Sequence, residues 1–221
     1  MDKNTIFWDD DTQFDFMNPD GKLYVPGAAD IIDKVSEIRE FAINSGYSII
    51  ASCDWHSPTD SEISENPDNI NTFPPHCMIN TPGAERAGSL GKIKPASIEL
   101  APIKLDIMKK LVLPDQFHIV VRKNETDVFS NPNTSVLLGL IRPKKFIVFG
   151  VALDVCVEIS INGLLERNFR DVTVLSDAVK GLGIKPDEDV IKDLTKKGVK
   201  FDNFANVRSS LLRSAQSTIR H

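Results

Sequence analysis

"KKFIVFGVALDVCVEIS" (residues 144–160) decides the fold. The apolar run "KFIVFGV" (145–151) has the composition of a buried strand, and "VCVEISINGLLERNF" (155–169) has helical spacing. A strand that turns straight into a helix is the building unit of a parallel sheet. Working outward, the same reading fits "TIFWD" (5–9), "YSIIASCD" (47–54), "FHIVVRK" (117–123) and "DVTVLSDA" (171–178), with "GVKFDNFA" (198–205) as a weaker sixth. Helical patterns fall between them. Residues 28–46 carry apolar positions at 31, 32, 35, 38, 41 and 42 and close on Gly46; 185–198 is a second such pattern, and 134–141 a shorter one. Strands alternating with helices predict a three-layer α/β sandwich, with a central, mainly parallel six-stranded sheet covered on both faces.

The chain has 221 residues, enough to bury a full core, and no internal repeat or linker divides it, so one domain over 1–221 is expected. Hydrophobic residues make up 41% and charged residues 26%, as in ordinary soluble proteins. A net charge of −5 offers no broad basic surface, which argues against a nucleic-acid partner. No apolar run approaches the roughly 18 residues that would cross a membrane. The acidic N-terminus lacks the basic and apolar regions of a signal peptide, and three cysteines without a CxxC make no disulfide framework. A cytoplasmic location is therefore expected.

In parallel sheets, functional residues gather beyond the carboxyl ends of the strands. Asp11 follows the first strand, "CDWH" ends the second, Lys123 ends the third and Cys156 follows the fourth. A cysteine opening a helix beside cationic groups has the setting of a nucleophile, and the turn offers backbone N–H groups to an oxyanion. A nearby carboxylate can take the thiol proton, and a lysine can stabilise both charges. Taken singly, each has a bland reading: a packed thiol, a solvated acidic turn, a lysine reaching for water. Asp54 and His56 alternate onto one face of an extended segment, and "FPPHC" brings His76 from the long segment 57–97. Two imidazoles and a carboxylate suit zinc, iron or manganese.

At this point the residues resemble a known family. "DDTQFDFMNPDGKLYVPGA" (10–28), "CDWH…FPPHCMINTPGAE" (53–85), "RK" (122–123) and "GVALDVCV" (150–157) are similar, in order, to motifs of the nicotinamidase branch of the isochorismatase-like cysteine hydrolases. The resemblance covers residues 5–180 and implies a Rossmann-like topology. It makes Asp11 the general base, Lys123 the charge-stabilising partner and Cys156 the nucleophile. It implies a cis peptide between Val151 and Ala152, and an oxyanion hole from the N–H groups of Ala152 and Cys156. Asp54, His56 and His76 map onto ligands of one divalent ion, zinc first, with iron or manganese as alternatives and Glu62 or Glu65 as a further ligand. Phe16 and Phe73 map onto aromatic walls around the substrate.

The implied reaction is hydrolysis of nicotinamide to nicotinate and ammonia through a thioester, in NAD salvage, by a self-associating enzyme. The rivals are hydrolysis of another amide, a carbamoyl compound or a vinyl ether, and a non-catalytic binding protein on the same fold. Departures from the pattern surround the pocket wall: Phe73 replaces a tryptophan, Leu153 replaces a threonine, and "NETDVFSNPNTS" follows the lysine in place of an aromatic segment.

Overall fold

In a computed structural model the protein is described over residues 4–92 and 94–219; residues 1–3, 93, 220 and 221, which the expected 1–221 domain includes, lie outside the described residues. Seven strands form one sheet: β1 (Thr5–Asp10), β2 (Ser48–Asp54), β3 (Ala96–Ile98), β4 (His118–Lys123), β5 (Lys145–Val151), β6 (Asp171–Lys180) and β7 (Lys200–Asp202). Their order is β3-β4-β2-β1-β5-β6-β7, and every pairing is parallel. The expected six strands are thus corrected to seven. The additional strand, β3, lies within the segment 57–97 and just past it. It spans three residues, only one of which, Ile98, is buried, so it is too short to show any period.

The helices are α1 (Phe14–Met17), α2 (Ile32–Asn44), α3 (Leu105–Val112), α4 (Pro132–Ile141), α5 (Glu158–Glu166), α6 (Asp187–Lys196) and α7 (Phe204–Ile219). Side chains alternate across the central strands, so each strand feeds two cores. Ile6 and Trp8 of β1, with Phe146 and Val148 of β5, pack under Met108 of α3, Leu137 of α4, Ile161 of α5 and Leu194 of α6. Phe7, Ile147 and Phe149 face the other way, against Val35 and Ile38 of α2 and Phe204 and Leu211 of α7. A fully buried side chain of this size contributes roughly 1.5–3 kcal/mol, which is why strands buried on both faces read as continuous apolar runs.

Strand β1 is central: the chain builds outward to β2, β4 and β3 on one side and to β5, β6 and β7 on the other. That reversal opens a crevice at the carboxyl ends of β1, β2 and β5. Gly150 near the end of β5 has φ +124°, and a β-carbon there would overlap the backbone carbonyl of Asp10. Only glycine lets β5 run this close to β1, where the strands deliver their functional residues.

Candidate active site

Each strand end contributes one charged or reactive side chain. Asp11 follows β1 with φ +46° and is fully buried. Asp54 closes β2, Lys123 closes β4, and the two are register partners, Asp54↔Lys123. Cys156 sits in a wide turn of π type (Leu153–Val157) between β5 and α5. Here the turn is anchored from outside: the Asp154 carboxylate accepts backbone N–H bonds from Leu182, Gly183, Ile184 and Lys185 at 2.6–3.1 Å. The peptide bond between Val151 and Ala152 is cis, and the Ala152 carbonyl accepts from Val155 N and Val157 N at 3.0 and 3.1 Å.

These side chains meet around Lys123. Its ammonium pairs with Asp11 Oδ2 at 2.9 Å, with Asp54 Oδ1, and reaches Cys156 Sγ at 3.7 Å. Burial alone would pull the Lys123 pKa down, but Asp11, Asp54 and Cys156 together hold it well above the usual lysine range. Asp54 is likewise buried, yet Lys123 and the two imidazoles hold its carboxyl well below the usual carboxylate range. Cys156 behaves oppositely. Burial pushes its thiol pKa well up; Lys123 opposes this, and the carboxylates of Asp11, Asp54 and Asp10 add to it. Its place at the head of a helix suggests an easily formed thiolate, but in this enclosure the resting group is a thiol that needs a base. Burial also raises Asp11, against the pull of Lys123, which makes it a better proton acceptor.

The second cluster adjoins the first through Asp54. Among the described residues, Asp54, His56 and His76 form a group whose ligand atoms all lie within 4.8 Å of one another, and all three are buried. The His76 Nδ1–H donates to the Pro74 carbonyl at 2.8 Å, and its Nε2 faces Asp54 Oδ2, 3.3 Å away. His56 is fully buried, and among the described residues neither ring nitrogen has a hydrogen-bond partner; Asp54 and Asp60 carboxylate oxygens stand 3.6 Å from Nε2 and Nδ1. An orphaned buried imidazole is costly unless something else binds it. A divalent cation fits this donor set: one imidazole nitrogen from each histidine and one carboxylate oxygen, with His76 fixed from behind by a carbonyl.

Glu62 and Glu65 fall outside that cluster. Glu62 is half-buried and accepts from Thr126 N and Oγ1 at 2.8 and 3.2 Å. Glu65 is exposed and borders a separate hollow beside Pro58 and Met78. Phe16 and Phe73 both flank His76, with ring centroids 5.3 and 6.1 Å from it. A narrow hollow opens between them, lined also by Leu23, Val25, Glu62, Ala152 and Leu182, and by Cys156, Asp54 and His76. A mostly apolar hollow with a few polar groups converging on one end is the form of a small-molecule site.

Sequence reasoning missed several supporting residues. Gln13 clamps the entry from β1 to the second strand: its side chain donates to the carbonyls of Asp54 and Ala84 at 2.8 and 2.9 Å and accepts from Asp54 N at 2.7 Å. Asp15 accepts from Cys77 N at 2.7 Å and Lys22 N at 3.0 Å; a β-carbon at Gly83 would collide with its carboxylate. Both lie inside the quoted "DTQFDF", so their signal was the motif itself. Asp9, Arg39 and Arg86 form a buried ion cluster that ties β1, α2 and the long segment together. Here no local pattern exists, because Arg39 reads as one charged residue on an amphipathic helix.

Comparison with known proteins places this geometry in context. The isochorismatase domain family matches residues 10–207. The nicotinamidase of Saccharomyces cerevisiae is 23% identical over 203 residues, covering 80% of this chain and 88% of that protein. A pyrazinamidase of Pyrococcus horikoshii solved in complex with zinc is 27% identical, with TM-score 0.69 over 91% of this chain and 99% of that one. An isochorismatase family protein of Desulfovibrio vulgaris, 18% identical, superposes with TM-score 0.71 over 95% of this chain and 98% of that one, a likeness of fold.

Proposed function

The chain belongs to the isochorismatase-domain family, and on that premise we propose that it is a metal-containing cysteine amidohydrolase that converts nicotinamide to nicotinate and ammonia. The observation that carries the reading is the position of Lys123, whose one ammonium touches the Asp11 carboxylate, the Cys156 thiol and the Asp54 carboxylate, the last two of which line an aromatic-walled cavity.

Asp11 takes the thiol proton, and Lys123 stabilises the thiolate by charge. The sulfur attacks the carboxamide carbon, and the N–H groups of Ala152 and Cys156 receive the oxyanion. Asp11 then delivers its proton to nitrogen, and ammonia leaves a thioester behind. A water that gives its proton to Asp11 cleaves the thioester, and the proton returns to sulfur. Phe16 and Phe73 hold the ring between them. Asp54, His56 and His76 would hold the divalent ion, zinc before iron or manganese, with Glu62, which lines the same cavity, or Glu65 as a further ligand. When bound, the ion supplies a Lewis acid that orients the pyridine nitrogen of the substrate.

On this reading the enzyme works in NAD salvage, in the cytoplasm, as a single domain that self-associates, and its partner is the small amide. No helix among the described residues is long and apolar enough to cross a membrane. The departure at the wall, Phe73, favours a second reading in which the same thiol acts on another amide or carbamoyl compound, whereas Leu153, expected at the wall, packs instead into the core. Ammonia release from nicotinamide by metal-loaded protein, compared with Cys156→Ala, tests the assignment. Release abolished by the substitution supports it; no release from the folded, loaded wild type overturns the substrate and moves the search to other amides.

A further inference from the structure

Next to Asp11 in the chain is a second buried carboxyl, outside the lining of the cavity, that the reaction above does not use. Asp10 ends β1 with no exposure. Ser52 Oγ, from the adjacent β2, stands 2.6 Å from Asp10 Oδ1 and 2.7 Å from Asp11 Oδ1. The same hydroxyl oxygen accepts the backbone N–H of Asp11 at 3.2 Å.

A hydroxyl has one proton to donate, and an ionised carboxylate can only accept. Ser52 therefore cannot satisfy two ionised carboxylates at these distances; one of the two oxygens must carry a proton and donate it to Oγ. The neighbours decide which. Asp11 Oδ2 faces the Lys123 ammonium at 2.9 Å, so Asp11 has a counter-charge in contact. Asp10 has none. Its other oxygen, Oδ2, accepts the indole N–H of Trp8 at 3.3 Å, and indole is a donor only, which leaves Oδ1 to hold the proton. Ser160 Oγ from α5, 3.3 Å from Asp10 Oδ1, is the remaining polar neighbour and carries no charge. The titratable groups that face Asp10 are Asp11, Lys123 and Cys156.

We propose that Asp10 is a neutral carboxylic acid that donates through Ser52 to Asp11, and that this chain of hydrogen bonds positions Asp11 and holds it as the charged base. Asp10 is thus a positioning residue. Burial and the adjacent Asp11 charge both favour its neutral form. Because Ser52 accepts from an acid, its own donation to Asp11 is strengthened, as in any polarised chain of hydrogen bonds. The kinetic part of this inference rests on the hydrolase reading, and the position of the proton does not.

Infrared spectroscopy of the metal-loaded protein at neutral pH reads the proton without substrate. The C=O stretch of a protonated carboxylic acid is expected in the wild type, lost in Asp10→Asn, and shifted in Ser52→Ala, where the acid loses its acceptor. A wild-type spectrum without that band, or a band unchanged in Asp10→Asn, overturns the proposal. Kinetics then test the positioning role. Asparagine can accept from Trp8 and donate to Ser52, so Asp10→Asn is expected to stay within about threefold of wild-type kcat. Asp10→Val fills the space but cannot donate, and kcat is expected to fall about tenfold with KM unchanged (about 1.4 kcal/mol). Equal kcat for the two variants, both folded, overturns the positioning role. If the wild type releases no ammonia from nicotinamide, the substrate assignment fails, and the infrared result still decides where the proton sits.

Discussion

His76 Nε2 stands 3.3 Å from Asp54 Oδ2, while Oδ1 of the same carboxylate is held by the Lys123 ammonium. One residue therefore belongs to both halves of the site. The Asp54–His56–His76 cluster and the thiol cluster cannot be altered independently at Asp54, whereas His56 and Cys156 each belong to one half only.

Asp54→Asn should accordingly lose both functions. Asparagine cannot supply the anionic oxygen a divalent ion needs, nor the charge that faces Lys123. Metal affinity is expected to fall about a hundredfold or more, and ammonia release with it. His56→Ala should lose the metal while leaving the Lys123–Asp54 pair in place. Metal content by elemental analysis, beside turnover before and after chelation and zinc re-addition, checks both. Full metal occupancy in either variant would contradict the ligand set.

Cys156→Ala is expected to keep the fold and the metal and to lose turnover by about four orders of magnitude or more, since no other group in the cavity can form the thioester. Cys53 and Cys77 cannot substitute. Both are buried outside the lining of the cavity, whereas Cys156 lines it and lies 3.7 Å from Lys123 Nζ. Trapping of a thioester on Cys156 alone, by mass spectrometry, is the direct readout.

Lys123→Met should cost stability as well as activity. Removing the ammonium leaves Asp11 and Asp54 buried without their shared cation, and breaking a buried pair in this way costs about 3–5 kcal/mol. The added hydrophobic contact of methionine does not offset a term of that size. Urea denaturation of the variant against wild type measures it, and a variant of equal stability would mean that the ion pairs contribute little.

Acid stability should report on Asp9. Burial alone would raise its pKa, but Arg39 and Arg86 outweigh that and bring it down to about 2. Arg39 Nε donates to Asp9 Oδ2 at 2.7 Å and Thr12 Oγ1 to Oδ1 at 2.7 Å. An unfolded aspartate titrates near about 3.9. A folded pKa below the unfolded one means the stabilisation is present above about pH 4 and is lost as pH falls through 4 toward 2, on the order of 2 kcal/mol in all. Asp9→Asn should be less stable at neutral pH, because two guanidiniums lose their counter-charge, and should lack this part of the acid slope. Parallel slopes for variant and wild type between pH 5 and 2 would show that Asp9 does not contribute.

The sheet and its order of strands and helices were legible in the sequence because burial on both faces forces long apolar runs, as in "KFIVFGV" and "FHIVVRK", which became β5 and β4 within a residue. Three of the elements that escaped were short or lightly buried: β3 has one buried residue, α1 spans four residues, and α3 buries only Met108, so periodicity had little to act on. α7 (Phe204–Ile219) escaped although it is long and buries Phe204, Val207 and Leu211, because its first residues fall in the stretch 198–205 that reads as a strand and ends as the three-residue β7. Candidate site residues were legible for a different reason: a parallel sheet sends its strand ends to one edge, so Asp11, Asp54, Lys123 and Cys156 could be gathered from order alone.

What the sequence determined by itself, then, is which residues arrive at that edge and in what chemical types. Tertiary structure alone decided what they do to one another. That Cys156 rests as a thiol, that Asp54 faces Lys123 with one oxygen and His76 with the other, and that Ser52 stands between Asp10 and Asp11 all depend on angstrom-scale distances across strands far apart in the chain. Protonation follows from burial and neighbouring charge, and neither is a property of any one segment.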